Sequence, residues 1–313
     1  MLLASVCAAH AQPVPIIFDT DMGNDVDDAL ALAVLHALES RGEAKLLAVT
    51  LTKDNRYAAP YVDLVNTFYG RPDIPIGVVK NGKTPEDSAM IRVPCERKRA
   101  DGTPVYPRRL NDGSTAPDAS TVLRRVLESQ PDNSVTIVQV GFFTNMARLL
   151  DTDRDLIARK VRLLVVMAGA FPTGIAEYNV KTDLPASRKV FAEWPTPIVA
   201  SGLEIGNSIL YPAVSIERDY RYVENHPIVD AYRAYKKMPY DRQTWDLTAV
   251  LYAVRPDRGY FPLSPPGQIS TDEKGRTHFT ESPGGKHRYL IVNDTQRVRV
   301  LEALVQLASQ PPK

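Results

Sequence analysis

The sequence predicts a single α/β domain with a mostly parallel, Rossmann-like central sheet, helices on both faces and long loop excursions. Short β-branched runs alternate with segments of helical periodicity through most of the 313 residues. The strand candidates are apolar without period-two alternation, the pattern of strands covered on both faces. No internal repeat or linker divides the chain, so the length beyond an ordinary domain is assigned to loops around one core over residues 12–313.

Each element has a local reason. Val14–Asp19 reads as a strand, and Asp27–Glu39 as a helix because Leu30, Val34, Ala37 and Leu38 recur at three- and four-residue spacings. Lys45–Leu51 is a second strand, Tyr57–Tyr69 a second helix and Ile74–Val79 a third strand. Residues 81–117, rich in Pro, Gly, Asp, Arg and Lys, break the rhythm as a long excursion of the kind that often serves as a lid. The alternation resumes with helix Ala119–Glu128, strand Ser134–Val140, helix Thr144–Leu150, strand Val161–Met167, helix Pro185–Phe191 and a short strand at Pro197–Ala200. Two helices follow, Ile228–Lys236 and Asp246–Val254, then a polar stretch over 257–287, a strand at Tyr289–Val292 and a last helix, Thr295–Ala308.

Composition narrows the function classes. Lys plus Arg is 38 and Asp plus Glu 37, a net charge of +1, which argues against a dedicated nucleic-acid binder. Hydrophobic residues at 44% and charged residues at 24% exclude global disorder and multi-span membrane classes, and no apolar run approaches the roughly 20 residues of a membrane span. Residues 1–11 are apolar and small and end in Ala9-His10-Ala11, the form signal peptidase reads, so they are expected to be the tail of an export signal. That places the protein in the periplasm or outside the cell; without cleavage it is cytoplasmic. A lipidated Cys7 is disfavoured by the bulky Val6 before it. Cys95 lacks a catalytic partner in sequence and reads as an incidental loop thiol.

The dense chemical signal is Phe18-Asp-Thr-Asp-Met-Gly-Asn-Asp-Val-Asp-Asp-Ala-Leu30. It holds five carboxylates, Asp19, Asp21, Asp25, Asp27 and Asp28, at a strand's carboxyl end and a helix start, where open α/β sheets place ligands. Asp19 and Asp21 share a face of an extended chain. Asn24, Asp25 or Asp27 can cap the helix, but caps account for only one or two acids. Five packed negative groups must protonate or bind a cation, and all-oxygen ligation suits Ca²⁺ or Mg²⁺ rather than Zn²⁺.

Asp19-Thr-Asp-x-Gly followed by Asp27-Asp28-Ala-Leu-Ala resembles the amino-terminal signature of the nucleoside hydrolases, Ca²⁺-dependent N-ribohydrolases, with Asn24 and Asp25 lengthening the turn by two residues. Further segments resemble the family in order: Ala48–Asn55, Val138–Ala147, Ala168–Phe171, Ala176–Asn179 and Trp245–Val250. The resemblance implies the nucleoside hydrolase fold, a homodimer or homotetramer, and Ca²⁺ bound by Asp21, Asp28, Asp246 and the Val140 carbonyl. It also implies ribose held by Asp27, Asn55, Glu177, Asn179 and Asp246, with Asp21 taking a proton from water. Trp245 stands where pyrimidine-accepting members carry His and resembles the purine-preferring members, in which a Trp stacks on the base. Tyr57, Tyr106, Tyr178 and Tyr240 are candidates for a second ring, and the Asn expected between Ala170 and Glu177 is missing.

Other polar residues divide between roles. His226, before Pro227, is expected to cap a helix, whereas His287, in a loop able to close over the site, stays outside the catalytic set. Lys53 and Asp54 are placed equally at substrate or at a strand-end ion pair. Two readings compete with a hydrolase of ribonucleosides. Phe18-Asp-x-Asp also begins the signature of haloacid dehalogenase-type phosphatases, though Gly23 and the Asp27–Asp28 pair do not fit it. An exported nucleoside- or ribose-binding protein without turnover is the other.

Overall fold

A computed structural model of the chain describes residues 12–172 and 174–313; the expected leader over residues 1–11 lies outside the described residues. The first half winds outward from a central strand. β1 (Val14–Thr20) leads through α1 (Asp27–Ser40) to β2 (Ala44–Leu51), then through α2 (Ala58–Phe68) to β3 (Ile76–Val78), each strand parallel to its predecessor. α3 (Ala89–Glu96) and α4 (Ala119–Glu128) then carry the chain back to the other side of β1. There β4 (Val135–Gln139) pairs parallel with β1, and α5 (Thr144–Lys160), β5 (Val161–Met167), α6 (Tyr178–Thr182), α7 (Leu184–Glu193) and β6 (Ile198–Ser201) extend the sheet the opposite way. The reversal between β1 and β4 opens a crevice at the carboxyl ends of both strands.

The remainder builds walls and an edge. α8 (Leu203–Asn207), β7 (Leu210–Tyr211), α9 (Ala213–Arg218), α10 (Pro227–Tyr235), β8 (Arg242–Gln243) and α11 (Trp245–Val254) lie in the second half, β7 and β8 forming a two-stranded ribbon. β9 (Gly267–Thr271) and β10 (Thr277–Glu281) form an antiparallel hairpin, β11 (His287–Tyr289) joins β6 in parallel, and α12 (Asp294–Ala308) closes the chain. The main sheet runs β10-β9-β11-β6-β5-β4-β1-β2-β3.

Burial explains the unalternating strands. Ile16 and Phe18 of β1 pack into the layer containing α1, α11 and α12, while Ile17 between them packs with α4, α5 and α7. α1 is buried from Asp27 to Leu38, which only a helix built mostly from Ala, Leu and Val can satisfy. Its first turn therefore fixes two carboxylates with almost no rotational slack.

The single-domain α/β expectation holds, and some boundaries change. The helix expected over Thr144–Leu150 continues to Lys160, because Leu156 and Ile157 resume burial beyond a kink at Asp153. The 81–117 excursion contains α3, and the polar 257–287 stretch contains the β9–β10 hairpin, whose edge position tolerates polar alternation. The strand expected at Tyr289–Val292 forms at His287–Tyr289. Cys95 is a helix residue, and burial pushes its thiol up to about 12, which makes it inert. Among the described residues no helix is long and apolar enough to cross a membrane.

Candidate active site

A cleft of about 320 Å³ opens at the sheet reversal, lined by Asp21, Asp27, Asp28, Val140, Glu177, Asn179 and Asp246 on its floor. Asn24, Asp25, Tyr178, Leu203, Arg242 and Trp245 also line it. Two tight backbone features bring the floor together. Gly23, at φ 115°, turns the chain between β1 and α1. At Gly141 a Cβ would lie 2.6 Å from the Asp21 amide nitrogen and 2.4 Å from Thr52 Oγ1, so only glycine lets the end of β4 approach β1.

Asp27 and Asp28 come from the first turn of α1 and Asp246 from the first turn of α11. One oxygen of each lies within 4.8 Å of the others, and all three residues are buried. The Asp246 amide donates to Asp27 Oδ2 at 3.1 Å, and Thr20 donates its hydroxyl to Asp28 Oδ1. Asp28 Oδ2 is buried without a hydrogen-bond partner among the described residues. Burial, followed by mutual repulsion, raises the Asp27 and Asp246 carboxyls well above the usual range, and burial with the charge of Asp21 does the same to Asp28. An orphaned carboxylate oxygen amid three crowded acids fits a hard divalent cation, which would restore all three to their charged forms.

Asp21 lies just beyond β1. Its Oδ2 accepts from Asn24 Nδ2 at 2.7 Å, and Asn24 is held in turn by Lys53 Nζ at 2.8 Å. Burial pushes Asp21 up to about 6, against the pull of the Asn24 bond. Glu177 starts α6 and accepts from the amides of Gly169, Asn179 and Val180, yet burial still pushes it up to about 7. Asn179 Nδ2 donates to the Val140 carbonyl at 2.7 Å and to the Met167 carbonyl at 3.0 Å. A carbonyl oxygen has two lone pairs, so Val140 retains one for a cation.

Some expectations need correction. Asn55 does not line the cleft: Nδ2 donates to the Pro85 and Glu86 carbonyls and Oδ1 accepts from the Tyr57 amide. It lies in the turn before α2 and latches the excursion, so its amide group is occupied. Asp19 leaves the face shared with Asp21. It is buried beneath the cleft, where it accepts from Thr50 and Asn145. The paired Asp19 and Asp21 that a phosphatase needs therefore do not meet at one site. His287 is buried in β11 and accepts from the Ile269 amide, so it cannot close over the cleft, while His226 caps α10 as expected. Of the four tyrosines, Tyr178 alone lines the cleft. Lys53 bonds Asn24 and the Thr84 carbonyl, and Asp54 accepts from the Gly82 amide.

Sequence reading missed Arg242. It forms a bidentate ion pair with Asp25, through Nε to Oδ1 at 2.9 Å and Nη2 to Oδ2. Its guanidinium lies 4.9 Å from the Trp245 ring and 5.2 Å from the Tyr235 ring. Its only sequence signal was its position three residues before Trp245.

The family model for inosine-uridine preferring nucleoside hydrolases matches residues 16–305. The chain belongs to this family. It is a hydrolase acting on the N-glycosyl bonds of ribonucleosides. Among curated relatives, the pyrimidine-specific ribonucleoside hydrolase RihA of Salmonella agona (strain SL483) is 32% identical over 231 residues, 68% of this chain and 67% of that protein. Two solved structures share the fold of this nucleoside hydrolase. The inosine-uridine preferring nucleoside hydrolase from Bacillus anthracis has a TM-score of 0.72 at 20% identity, covering 95% of this chain and 99% of that one. The purine-preferring ribonucleoside hydrolase from Gardnerella vaginalis has a TM-score of 0.71 at 18% identity, covering 94% and 98%. The family membership removes the phosphatase alternative.

Proposed function

We propose that this nucleoside hydrolase cleaves purine ribonucleosides to free base and ribose with the help of Ca²⁺. The buried Asp27–Asp28–Asp246 cluster, with its orphaned Asp28 oxygen, carries this reading. Asp21, Asp28, Asp246 and the Val140 carbonyl would hold the ion. When bound, it would supply a water of lowered pKa and contacts for ribose hydroxyls.

The chain's own residues do the rest. Asp21 accepts the water proton, poised by the Asn24 hydrogen bond at 2.7 Å. Asp27, Glu177, Asn179 and Asp246 hold the ribose hydroxyls. The surrounding carboxylates favour the positive charge that grows on the sugar as the N-glycosidic bond stretches. Trp245, at the start of α11 and fixed by donation from Nε1 to Asn207 Oδ1 at 3.0 Å, offers a face for the base, and the breadth of that face favours purines. Asn55 acts by holding the 85–86 segment rather than by touching the sugar. The leader-like residues 1–11 support export, and the family resemblance supports a homodimer or homotetramer.

The test is release of reducing sugar from inosine, adenosine, guanosine and uridine by the purified protein in Ca²⁺ and after chelation. Ca²⁺-dependent sugar release with purines ahead of uridine is the expected result. Tight nucleoside binding without sugar would replace the enzyme with the exported binding protein.

A further inference from the structure

We infer that Lys53 and Asn24 are positioning residues that clamp the Asp21 carboxylate in one orientation, Lys53 acting only through the Asn24 amide; this rests on the ribonucleoside hydrolase reading above, in which Asp21 takes the proton from water. Lys53 stands two residues past the end of β2, is 2% exposed and does not line the cleft. Its Nζ donates to Asn24 Oδ1 at 2.8 Å and to the Thr84 carbonyl at 2.7 Å. Both partners of this buried ammonium are neutral oxygens, and one of them belongs to the residue that touches Asp21.

The chemistry of the donors fixes which way the amide points. An ammonium can only donate, so Lys53 holds Asn24 Oδ1 toward itself and turns Nδ2 the other way. Nδ2 then donates to Asp21 Oδ2 at 2.7 Å and to Thr84 Oγ1 at 3.0 Å, which uses both of its hydrogens. A flipped amide would set donor against donor at Lys53 and acceptor against acceptor at Asp21. A carboxylate tethered by one oxygen no longer rotates freely about its Cβ–Cγ bond, so its other oxygen keeps one direction. Orientation of this kind acts on the chemical step, because a proton acceptor displaced by about 1 Å can lose a hundredfold in rate.

The reach is built into the backbone. The Lys53 stem crosses the turn after β1 so closely that a Cβ on Gly23 would lie 3.1 Å from its Cδ and 3.2 Å from its Cε. Gly23 therefore serves the clamp as well as the turn. Asn24 belongs to the two-residue extension of that turn, and the extension supplies the amide that joins Lys53 to Asp21. Thr84 completes the arrangement by offering its carbonyl to Lys53 and its hydroxyl to Asn24, so the start of the 81–117 excursion is docked on the same pair.

The experiment compares wild type, Lys53→Met, Asn24→Ala, their double variant and Asn24→Asp. It measures kcat and KM on inosine in Ca²⁺, and hydrogen–deuterium exchange by mass spectrometry on the chelated proteins. Lys53→Met keeps the apolar stem over Gly23 and loses the donor. Each of the first two variants should lose on the order of 10- to 100-fold in kcat with KM nearly unchanged. Because Lys53 acts through Asn24, the double variant should fall no further than Asn24→Ala, within about twofold. Without metal, both single variants should speed exchange over residues 22–26 and 84–88 and leave the rest of the sheet unchanged. Asn24→Asp keeps an oxygen for Lys53 but sets an acceptor against Asp21, so it should lose as much kcat as Asn24→Ala while exchange over 84–88 stays slow. Losses that multiply in the double variant, a rise in KM with kcat intact in Lys53→Met, unchanged exchange in that variant, or full activity in Asn24→Asp would each overturn the inference and leave the hydrolase standing. Should wild type release no sugar from any nucleoside, the hydrolase reading fails, while the exchange pattern still decides whether the clamp exists.

Discussion

The floor and the wall of the cleft are built on different plans. Four floor carboxylates, Asp21, Asp27, Asp28 and Asp246, sit at the ends of long buried elements, β1, α1 and α11, and Glu177 at the start of the short α6 is the exception. The wall is made from shorter pieces: Arg242 on a two-residue strand, Leu203 on a five-residue helix, and Tyr178 at the exposed start of another. Its order comes from side chains, chiefly the Asp25–Arg242 pair and the stack on Trp245. The contrast follows from what each surface must do. Placing a cation and a sugar hydroxyl demands sub-ångström registration from rigid elements. Choosing a base demands shape and a few donors, which loops supply.

Removing a floor group should break the molecule's function most. Asp21→Ala is expected to lower kcat on inosine by about 10²–10⁴-fold, the span of a lost general base, with circular dichroism unchanged. A loss under tenfold would take Asp21 out of proton transfer.

The same contrast explains what could be read in advance. β1, α1 and the floor acids Asp21, Asp27 and Asp28 were legible because one contiguous run carries them, and its periodicity switches from buried strand to buried helix in ten residues. Asp246 was legible only through resemblance, since nothing local marks it as more than a helix start. A strand-end Asn such as Asn55 reads as a ligand, and its hold on the 85–86 segment had no signal in the sequence. Arg242 had no local signal beyond its place three residues before Trp245. Its role depends on Asp25, more than two hundred positions earlier, and pairs that distant leave no periodicity.

Cation removal should have the next largest effect, and it acts on the floor alone. Adding Ca²⁺ to chelated protein at a hundredfold excess over Kd should stabilise it by about 2.7 kcal/mol, read as a rise in melting temperature. The pH dependence has a definite sign. In the metal-free protein burial holds Asp21 at about 6 and Glu177 at about 7, above their ordinary values of 3.8 and 4.5. The folded state then binds more protons than the unfolded one, so metal-free stability falls as pH rises from about 4 toward 7. With Ca²⁺ bound Asp21 is ionised when folded, so its share of that fall should vanish while the share of Glu177 remains. Melting curves that fall equally with and without Ca²⁺ would separate the floor from metal binding.

A smaller effect is expected on the wall. Trp245→Ala should cost purine turnover roughly 0.5–1.5 kcal/mol, or about two- to tenfold in kcat/KM, and should cost uridine less because a smaller ring overlaps the indole less. Equal losses on both bases would reduce Trp245 to a structural residue of α11.

The finest test concerns the wall's support, and its pH sign is opposite to that of the floor. His226 starts α10, the helix that ends with Tyr235 behind Arg242, and its Nδ1 accepts from the Ile228 amide at 3.2 Å. Burial lowers its pKa to about 3, from 6.5 when unfolded. The neutral imidazole therefore contributes stability that is complete above about 6.5 and drains away as pH falls toward 3, since the unfolded chain takes up the proton first. His226→Asn keeps an acceptor at the helix start but does not titrate. It should lower the melting temperature at pH 7.5 by losing the packing of the ring against Phe68 and Tyr220, then narrow that deficit as the solution is acidified to pH 5. A deficit that stays constant with pH would mean that the histidine supports the wall by packing alone, and that the acid sensitivity of the fold resides elsewhere.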